Sequence, residues 1–534
     1  MTLSQAVLCL VPVCCSAPVA KGILHYFQLE SYQFPGFFRT LQRNKIHTWL
    51  PGFTVAAISI LLFYGYDLFV LQSGIAALQL SFQIILLPLS FGLGILIARL
   101  FSERKAKKPF VYTNRAKRLF FTLFLVMAVF SLGLAQSAVS ILPCFWPLLL
   151  PLMVALAGLL AWPVEKLISE LYFRDARRKL LSNSRLIRIG ITGSYGKTSV
   201  KHILGTILSE KLPTLITPAS FNTPMGVTRA IREKLTPSYQ VFIGEMGARH
   251  VGDIREMCRL VRPTIGILTS VGSQHLDTFK TVERVAKTKY ELMEALPKDG
   301  HGYFFDDDGY CKNLYERMAK PKTLIGMEPE RSDCWCENVS VSPSGSQFEL
   351  TIAGKGSVFC RTMLLGEHNI QNILLAAAVA SDLGLSLKQI SHGISKLQPV
   401  KNRLELITRP GSFTIINDAF NSNPVGAKAA LKVLSSFPKR RIVITPGMVE
   451  LGSQEAKYNR EFGHCIAEMA DIAIVVGKKR VLSIMEGMLE GGFTKEQIHQ
   501  VASLEESTAV LHSLVLPSDT VLYENDLPDH YQEA

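Results

Sequence analysis

The chain has 534 residues, room for roughly three or four domains of about 150 residues, which excludes a single small module. A mean hydropathy of +0.22 with 48% hydrophobic residues is high for a soluble enzyme. Yet 19% charged residues is too many for a protein lying wholly in lipid, so a part-membrane, part-soluble chain is expected. The net charge of +13 comes from Lys and Arg clustered beside apolar runs, where anionic headgroups and topology account for it; nucleic acid is not an expected partner. The ten cysteines lack the paired spacing of a disulfide framework, and Cys334-Trp335-Cys336 has no second Cys or His pair at zinc-finger distance, so they read as reduced thiols.

Residues 1–165 are predicted to form an all-α transmembrane region of about four or five helices. Three apolar stretches, near 52–72, 76–98 and 119–138, approach the roughly 20 residues that cross the hydrocarbon core. A fourth, near 144–163, carries Pro147, Pro151 and Pro163 and is expected to span with a kink. Leu3 to Ala20 is the weakest candidate; without a charged leader segment it reads as a retained helix rather than a signal peptide. His25 to Lys45 interleaves Tyr26, Phe27, Tyr32, Phe34, Phe37 and Phe38 with Arg39, Arg43 and Lys45, which suits an interfacial helix or a docking surface, or an ordinary amphipathic linker. The loop from Arg99 to Arg118 holds Arg104, Lys105, Lys107, Lys108, Arg115 and Lys117, and the positive-inside rule puts it in the cytoplasm. Counting spans from there, the segment with Arg174, Arg177, Arg178 and Lys179 also emerges in the cytoplasm. A multi-pass protein of the cell membrane is expected, touching membrane lipids and exposing its large soluble part to the cytoplasm.

From about 186 the pattern changes to short β-rich runs alternating with helical ones, the mark of an α/β domain with a parallel sheet. Leu186 to Ile191 reads as a strand leading into Gly190-Ile-Thr-Gly193-Ser194-Tyr-Gly196-Lys197-Thr198-Ser199 and then a helix to about Glu210. Glycines let backbone N–H groups approach phosphate oxygens, Lys197 can reach the β- and γ-phosphates, and Thr198 can bind Mg²⁺. The bland alternative, a turn that merely packs helix on strand, leaves Lys197 at a helix start where a cation opposes the dipole.

The variant loop Thr192 to Thr198 resembles the ATP loop of the Mur ligase and folylpolyglutamate synthase superfamily. Further segments follow in the family's order. Phe221 to Gly226, Glu245-Met-Gly247, Thr269 to Asp277 with His275, and Ala286 to Glu291 resemble central-domain motifs; Gly366 to Asn372 resembles the adenine-side motif. Asn417-Asp418-Ala-Phe420-Asn421-Ser-Asn423-Pro424 and Met448-Val-Glu450-Leu-Gly452 are similar to stretches of the D-alanyl-D-alanine-adding branch. The resemblance covers about 185–534; ahead of it the apolar segments stand in place of the family's UDP-sugar-binding domain.

The resemblance implies an ATP-dependent ligase that activates a carboxylate as an acyl phosphate and joins it to an amine, with ATP and Mg²⁺ (or Mn²⁺) as cofactors. Its partners would be a carboxylate-bearing cell-wall precursor and an amine or dipeptide. Lys197, His275 and Lys289 are the implied catalytic residues, and Thr198, Glu245 and His275 the implied metal ligands. Gly193, Ser194, Gly196, Lys197, Thr198, Ser199, Asn372, Arg403 and Asp418 are the implied nucleotide contacts. Lys289 matches a position that is carbamylated in the family; read alone it would be a solvated helix lysine, with Lys287 one pair away. Asn417 and Phe420 depart from the family's acidic residue and tyrosine, and no role is assigned to them or to Glu450.

The implied fold class is α/β: a P-loop central domain over 180–399 and a Rossmann-like C-terminal domain over 400–534, preceded by the transmembrane region. Strands are expected near 186–191, 241–245 and 264–270, with a small solvated antiparallel sheet near 337–364. The last domain should have strands near 412–416, 441–445, 471–476 and 519–523, with ATP in the cleft and closure on substrate binding. Two other readings remain open: a ligase for another acidic or peptidyl substrate of poly-glutamate type, and an ATP-driven transporter or scaffold, the latter weakened by the lack of a Leu-Ser-Gly-Gly signature.

Overall fold

The computed structural model describes residues 3–66, 68, 76–101, 109–137, 139, 141–219, 221–274, 276–307, 309–408, 412–420 and 422–527. Of the predicted positions, His275, Asn421 and the basic residues Arg104, Lys105, Lys107 and Lys108 lie outside these. The chain divides into two compact units, Met1–Glu170 and Leu171–Ala534.

The first unit is helical: α1 (Leu3–Leu29), α2 (Phe34–Arg43), α3 (Lys45–Tyr66), α4 (Ala76–Leu100), α5 (Asn114–Leu134) and the start of α6 (Leu150–Leu181). Among the described residues, four segments are long and apolar enough to cross a membrane: Val7–Leu29, Lys45–Tyr66, Asn114–Leu134 and Leu142–Leu181. The stretch that looked weakest in the sequence forms α1, the central packing element, which touches α3, α4 and α5. Its Pro12 and Pro18 sit inside the helix; interior prolines are tolerated in helices packed among other helices. Close crossings fall on glycines: a Cβ at Gly94 would meet the Cys15 carbonyl oxygen at 2.2 Å, and one at Gly52 the Pro147 carbonyl oxygen at 2.4 Å. Such small-residue contacts are the usual means of helix association where lipid removes the hydrophobic drive. Helix α2 is the amphipathic segment expected near 25–45, burying Gly36, Phe37, Thr40 and Leu41.

The second unit is built on two sheets. The larger contains β1 (Ile187–Thr192), β2 (Thr214–Ile216), β3 (Val241–Glu245), β4 (Ile265–Leu268), β5 (His301–Phe305), β6 (Lys322–Ile325), β7 (Cys334–Ser342), β8 (Gly345–Ile352) and β9 (Gly356–Thr362), in the order β2-β3-β1-β4-β5-β6-β7-β8-β9. β1 pairs in parallel with both β3 and β4, so successive crossovers leave it in opposite directions; the loop after β1 therefore opens at a topological switch point. The antiparallel strands β7–β9 extend this sheet through the single parallel pair Ile325–Cys334 rather than standing apart as a solvated sheet. Their alternate residues Cys334, Cys336, Phe348, Leu350, Ile352 and Cys360 join the main hydrophobic core, while Glu337, Gln347 and Arg361 stay exposed, so the expected antiparallel patch is solvated on one face and dry on the other. All ten cysteines are free thiols.

The smaller sheet holds β10 (Glu405–Ile407), β11 (Thr414–Asp418), β12 (Arg441–Thr445), β13 (Ile472–Val476), β14 (Ile498–Val501) and β15 (Thr520–Glu524), ordered β10-β11-β15-β12-β13-β14. All pairs are parallel except β10 with β11. The central strands are buried on both faces and read as continuous Ile/Val/Leu runs, as parallel sheets require.

Candidate functional site

The Gly-rich loop runs from β1 into α7 (Lys197–Leu208). Gly193 has φ of +153° and Gly196 of +78°, and neither site has room for a side chain. A Cβ at Gly193 would lie 2.0 Å from Thr269 Oγ1, and one at Gly196 would lie 2.6 Å from Asn372 Oδ1. The loop is pinned to the segment after β4. Ser194 N donates to the Ser270 carbonyl (2.8 Å) and Tyr195 N to Ser270 Oγ (2.8 Å). The Ser194 hydroxyl is engaged with the Gly272 backbone, accepting from its N–H at 3.0 Å, which makes its visible role that of a loop anchor. Lys197 curls back, its Nζ donating to the carbonyls of Gly193 (2.6 Å) and Ser194 (3.0 Å). Burial lowers its pKa to about 8, with Glu245 pulling it up and Arg403 adding to the fall. Ser199 sits half-buried in the same first helical turn.

Thr198 and Glu245 meet at the ends of neighbouring elements. The Thr198 hydroxyl lies 3.0 Å from both carboxylate oxygens of Glu245. One helical turn further, Lys201 is fully buried and donates to Glu245 Oε2 at 3.0 Å. Asn222 Nδ2 approaches Oε1 at 3.3 Å. Burial alone would raise the Glu245 pKa, but the charges of Lys201 and Lys197 and the hydrogen bonds from Lys201 and Thr198 hold it below its usual value. Lys201 and Asn222 were not singled out from the sequence, although a lysine four residues after Lys197 lies on the same helix face. The hydroxyl and carboxylate offer hard oxygen donors, which fit a magnesium ion that keeps several waters of its own. Among the described residues no cluster of three His, Cys, Asp or Glu side chains forms a protein-only metal cage.

The helix Val282–Ala295 turns Lys287 to solvent and Lys289 inward. Lys289 is 3% exposed, which rules out the solvated-lysine alternative. Burial first, then the charge of Lys197, lowers its pKa well below the ordinary lysine value, against a weaker pull from Asp253. Two residues on, the buried Glu291 accepts from the N–H groups of Gly252 (2.9 Å) and Arg255 (3.0 Å), capping the helix Asp253–Val261.

From the C-terminal half, Arg403 brings Nη2 to 3.4 Å from Thr198 Oγ1 and lays its guanidinium 4.8 Å from the centre of the Phe420 ring. Phe420, where the resemblance leads one to expect a tyrosine, thus serves as a stacking surface for Arg403. Asp418 accepts from the Leu404 N–H at 3.1 Å; burial lifts its pKa to about 6 against that hydrogen bond and the Arg403 charge. Asn417 donates to Asn402 Oδ1 at 2.9 Å, tying the turn that carries Arg403 to β11. Ser273 and Tyr458 hydroxyls, 3.1 Å apart, make a second link between the halves. Asn372, on the helix Glu367–Asp382, is buried against Gly196. The structure therefore gathers Gly193, Ser194, Gly196, Lys197, Thr198, Glu245, Asn372 and Arg403 around one loop, with Asp418 behind Arg403.

Residues 191–380 match the model of the Mur ligase middle domain, and residues 402–523 that of the Mur ligase glutamate ligase domain. A UDP-N-acetylmuramoyl-tripeptide–D-alanyl-D-alanine ligase of Escherichia coli is 30% identical over 336 residues, covering 61% of this chain and 72% of that protein. The chain belongs to the Mur ligase family. Its likeness extends to the ligase of the same name from Buchnera aphidicola, 31% identical over 52% of this chain, although the match spans only 60% of that protein's length. Among solved structures, MurF from Acinetobacter baumannii superposes with a TM-score of 0.62 at 26% identity, covering 68% of this chain and 78% of that one. Mur ligases are ATP-dependent carbon–nitrogen ligases. Both Mur ligase matches fall within the second unit, so the family accounts for the α/β part, and the helical unit lies outside the matched residues.

Proposed function

We propose that the chain is a membrane-held ligase that uses ATP with Mg²⁺ to join D-alanyl-D-alanine to a muramyl tripeptide in peptidoglycan-precursor synthesis. The observation that carries this reading is the convergence of Lys197, Thr198, Glu245 and Arg403 on one glycine loop in a chain whose relatives bear that ligase's name. Forming an amide from a free carboxylate in water is uphill, so the carboxylate must first take the γ-phosphoryl group. Phosphoryl transfer depends mainly on positioning and charge neutralisation.

In this reading the loop's N–H groups and the Lys197 ammonium hold the phosphates; Lys197 exchanges its two loop carbonyls for phosphate oxygens. Thr198 and Glu245 would hold Mg²⁺, which when bound supplies charge neutralisation on the phosphates. His275 is proposed as a further ligand by the resemblance alone. Arg403, already against Thr198, presents a second cation to the transferring group from the C-terminal half. A lysine kept neutral by burial is the form that adds carbon dioxide, so the pKa direction at Lys289 is in keeping with the carbamylation that the resemblance implies. Asn372 would meet the base and Asp418 the ribose side, where it also steadies Arg403. The four apolar helical segments would anchor the enzyme in the cell membrane, with the second unit in the cytoplasm.

The test is ADP release by the full-length protein in detergent with Mg²⁺-ATP, UDP-linked muramyl tripeptide and D-alanyl-D-alanine, each omitted in turn. Release that requires all three, and stops in Lys197→Ala, supports the proposal. Release that requires a different acceptor or a lipid-linked donor would keep the ligase and overturn the substrate.

A further inference from the structure

Lys201 stands beside the glycine loop, but its hydrogen bonds go elsewhere. It follows Lys197 by one helical turn and so shares a face of the helix Lys197–Leu208 with it. Its side chain is 0% exposed. The ammonium donates to Glu245 Oε2 at 3.0 Å and to the Ala219 carbonyl. Ala219 holds a φ of +44°, a left-handed conformation that a residue with a side chain keeps only where its surroundings impose it. Three residues on, Asn222 places Nδ2 3.3 Å from Glu245 Oε1, and its carbonyl accepts from the Gly247 N–H at 2.8 Å.

The two oxygens of Glu245 therefore have different partners. Oε2 takes the Lys201 ammonium and Oε1 the longer Asn222 contact, with the Thr198 hydroxyl 3.0 Å from both. An ion pair taken wholly out of water is a poor source of stability, because desolvation offsets the Coulomb gain and an apolar pair of similar size does as well or better. What such a pair supplies is direction. A charge-assisted bond to one oxygen fixes the carboxylate and leaves the other oxygen with a weaker, neutral partner that it can exchange for another ligand. Outer partners of this kind orient the groups that hold a metal ion.

We propose that Lys201 is a positioning residue for the metal site: it holds Glu245 so that the carboxylate and the Thr198 hydroxyl are presented together to Mg²⁺, and it ties that carboxylate to the turn carrying Ala219 and Asn222. The inference rests on the proposed assignment of Thr198 and Glu245 to Mg²⁺. A lysine acting only as a local positive charge would repel the cation, so its removal would tighten Mg²⁺ binding. One that only stabilised the fold would leave Mg²⁺ binding untouched.

The test is the affinity of the full-length protein in detergent for a fluorescent, non-hydrolysable ATP analogue, measured with and without Mg²⁺. The ratio of the two affinities reads the contribution of the metal and cancels any general loss of nucleotide binding. Lys201→Met should lower this ratio about tenfold, the usual cost of losing an outer partner at a metal site. Glu245→Gln should lower it too, and adding Lys201→Met to Glu245→Gln should lower it by less than about twofold more, since the lysine then has no carboxylate to orient. The double variant leaves no unpaired charge, so its comparison with Glu245→Gln stands even if Lys201→Met alone fails to fold. An unchanged or raised ratio in Lys201→Met, or a further drop of about tenfold in the double variant, would overturn the role of Lys201. If Mg²⁺ does not raise the affinity of wild type, or if Glu245→Gln keeps the wild-type ratio, the metal assignment itself is overturned and the role of Lys201 with it.

Discussion

The two units treat apolar side chains in opposite ways. In the second unit Ile189, Ile191, Leu204, Ile243 and Ile267 are completely buried, and the exposed positions are mostly polar. In the first, Leu61, Tyr64, Phe121, Val129 and Leu159 are each more than half exposed, while Ser16, Ser59, Ser90 and Ser131 are buried. Ser131 donates to the Cys9 carbonyl across the helices. With the first unit placed in the membrane as proposed, one rule accounts for both: each unit places outward what its surroundings solvate, and a helical bundle with an apolar exterior and small polar residues inside suits hydrocarbon. Exposure of large apolar residues is informative when it recurs along several helices, as it does for Leu61 and Tyr64 on α3, Phe121 and Val129 on α5 and Leu159 on α6.

If chemistry belongs to one unit and placement to the other, mutations should separate them. Lys197→Ala should reduce ligase turnover by about 10³-fold or more, since it removes a preorganised cation from a phosphoryl-transfer site, while membrane retention in fractionated cells stays intact. A single variant that lost both would break the division. Val129→Asp, at a position 70% exposed, should abolish stable insertion, because a carboxylate facing lipid costs about 3 kcal/mol, yet leave ATP binding to the solubilised protein unchanged. Normal insertion of this variant would mean that the apolar belt faces something other than lipid.

Lys289→Ala should lower kcat by about 10²-fold with little change in KM for ATP, as expected for a buried charge acting on the transferring group; Lys289→Glu should recover part of the loss. A smaller, pH-dependent effect is expected at Glu524. Burial, then the charge of Asp418, pushes its carboxyl up to about 8 against the pull of the Ser422 and Thr445 hydroxyls. A carboxyl raised in the folded state costs nothing below its unfolded value of about 4.3 and a growing amount as pH climbs towards the folded value. Glu524→Gln should therefore match wild type in urea unfolding at pH 4 and exceed it by a margin that grows as pH rises towards 8. A stability difference that is the same at both pH values would show that packing, not charge, sets the effect.

Much of the second unit was legible because its signals are local. Leu186 to Ile191 and Gly193 to Ser199 declare a strand, a tight turn and a helix by residue type alone, and left-handed φ at Gly196 is a demand that only glycine meets easily. The strands β2, β5, β6, β10 and β14 were not foreseen; β2 (Thr214–Ile216) and β10 (Glu405–Ile407) are too short for any periodicity to register. The β7–β9 segment was read from its alternation as a small solvated antiparallel sheet; that it continues the larger sheet through Ile325 and Cys334 was not legible, because alternation reports that one face is buried without saying what buries it. In the first unit, the apolar runs announced helices but misplaced their ends: α3 begins at Lys45 and α6 continues to Leu181, since charged residues that end an apolar run do not end a helix.

The sequence by itself determined that a glycine loop with Lys197 and Thr198 follows a strand, that motifs of one ligase family occur in order, and that the chain opens with apolar helices. These depend on residue type and spacing along the chain. Only the tertiary structure decided that Glu245 is shared between Thr198 and Lys201, that Arg403 reaches Thr198 from 205 residues away, and that Lys289 rather than Lys287 is buried. Each of these turns on which side chains meet across sheets and helices and on the water excluded between them, and no local pattern carries that information.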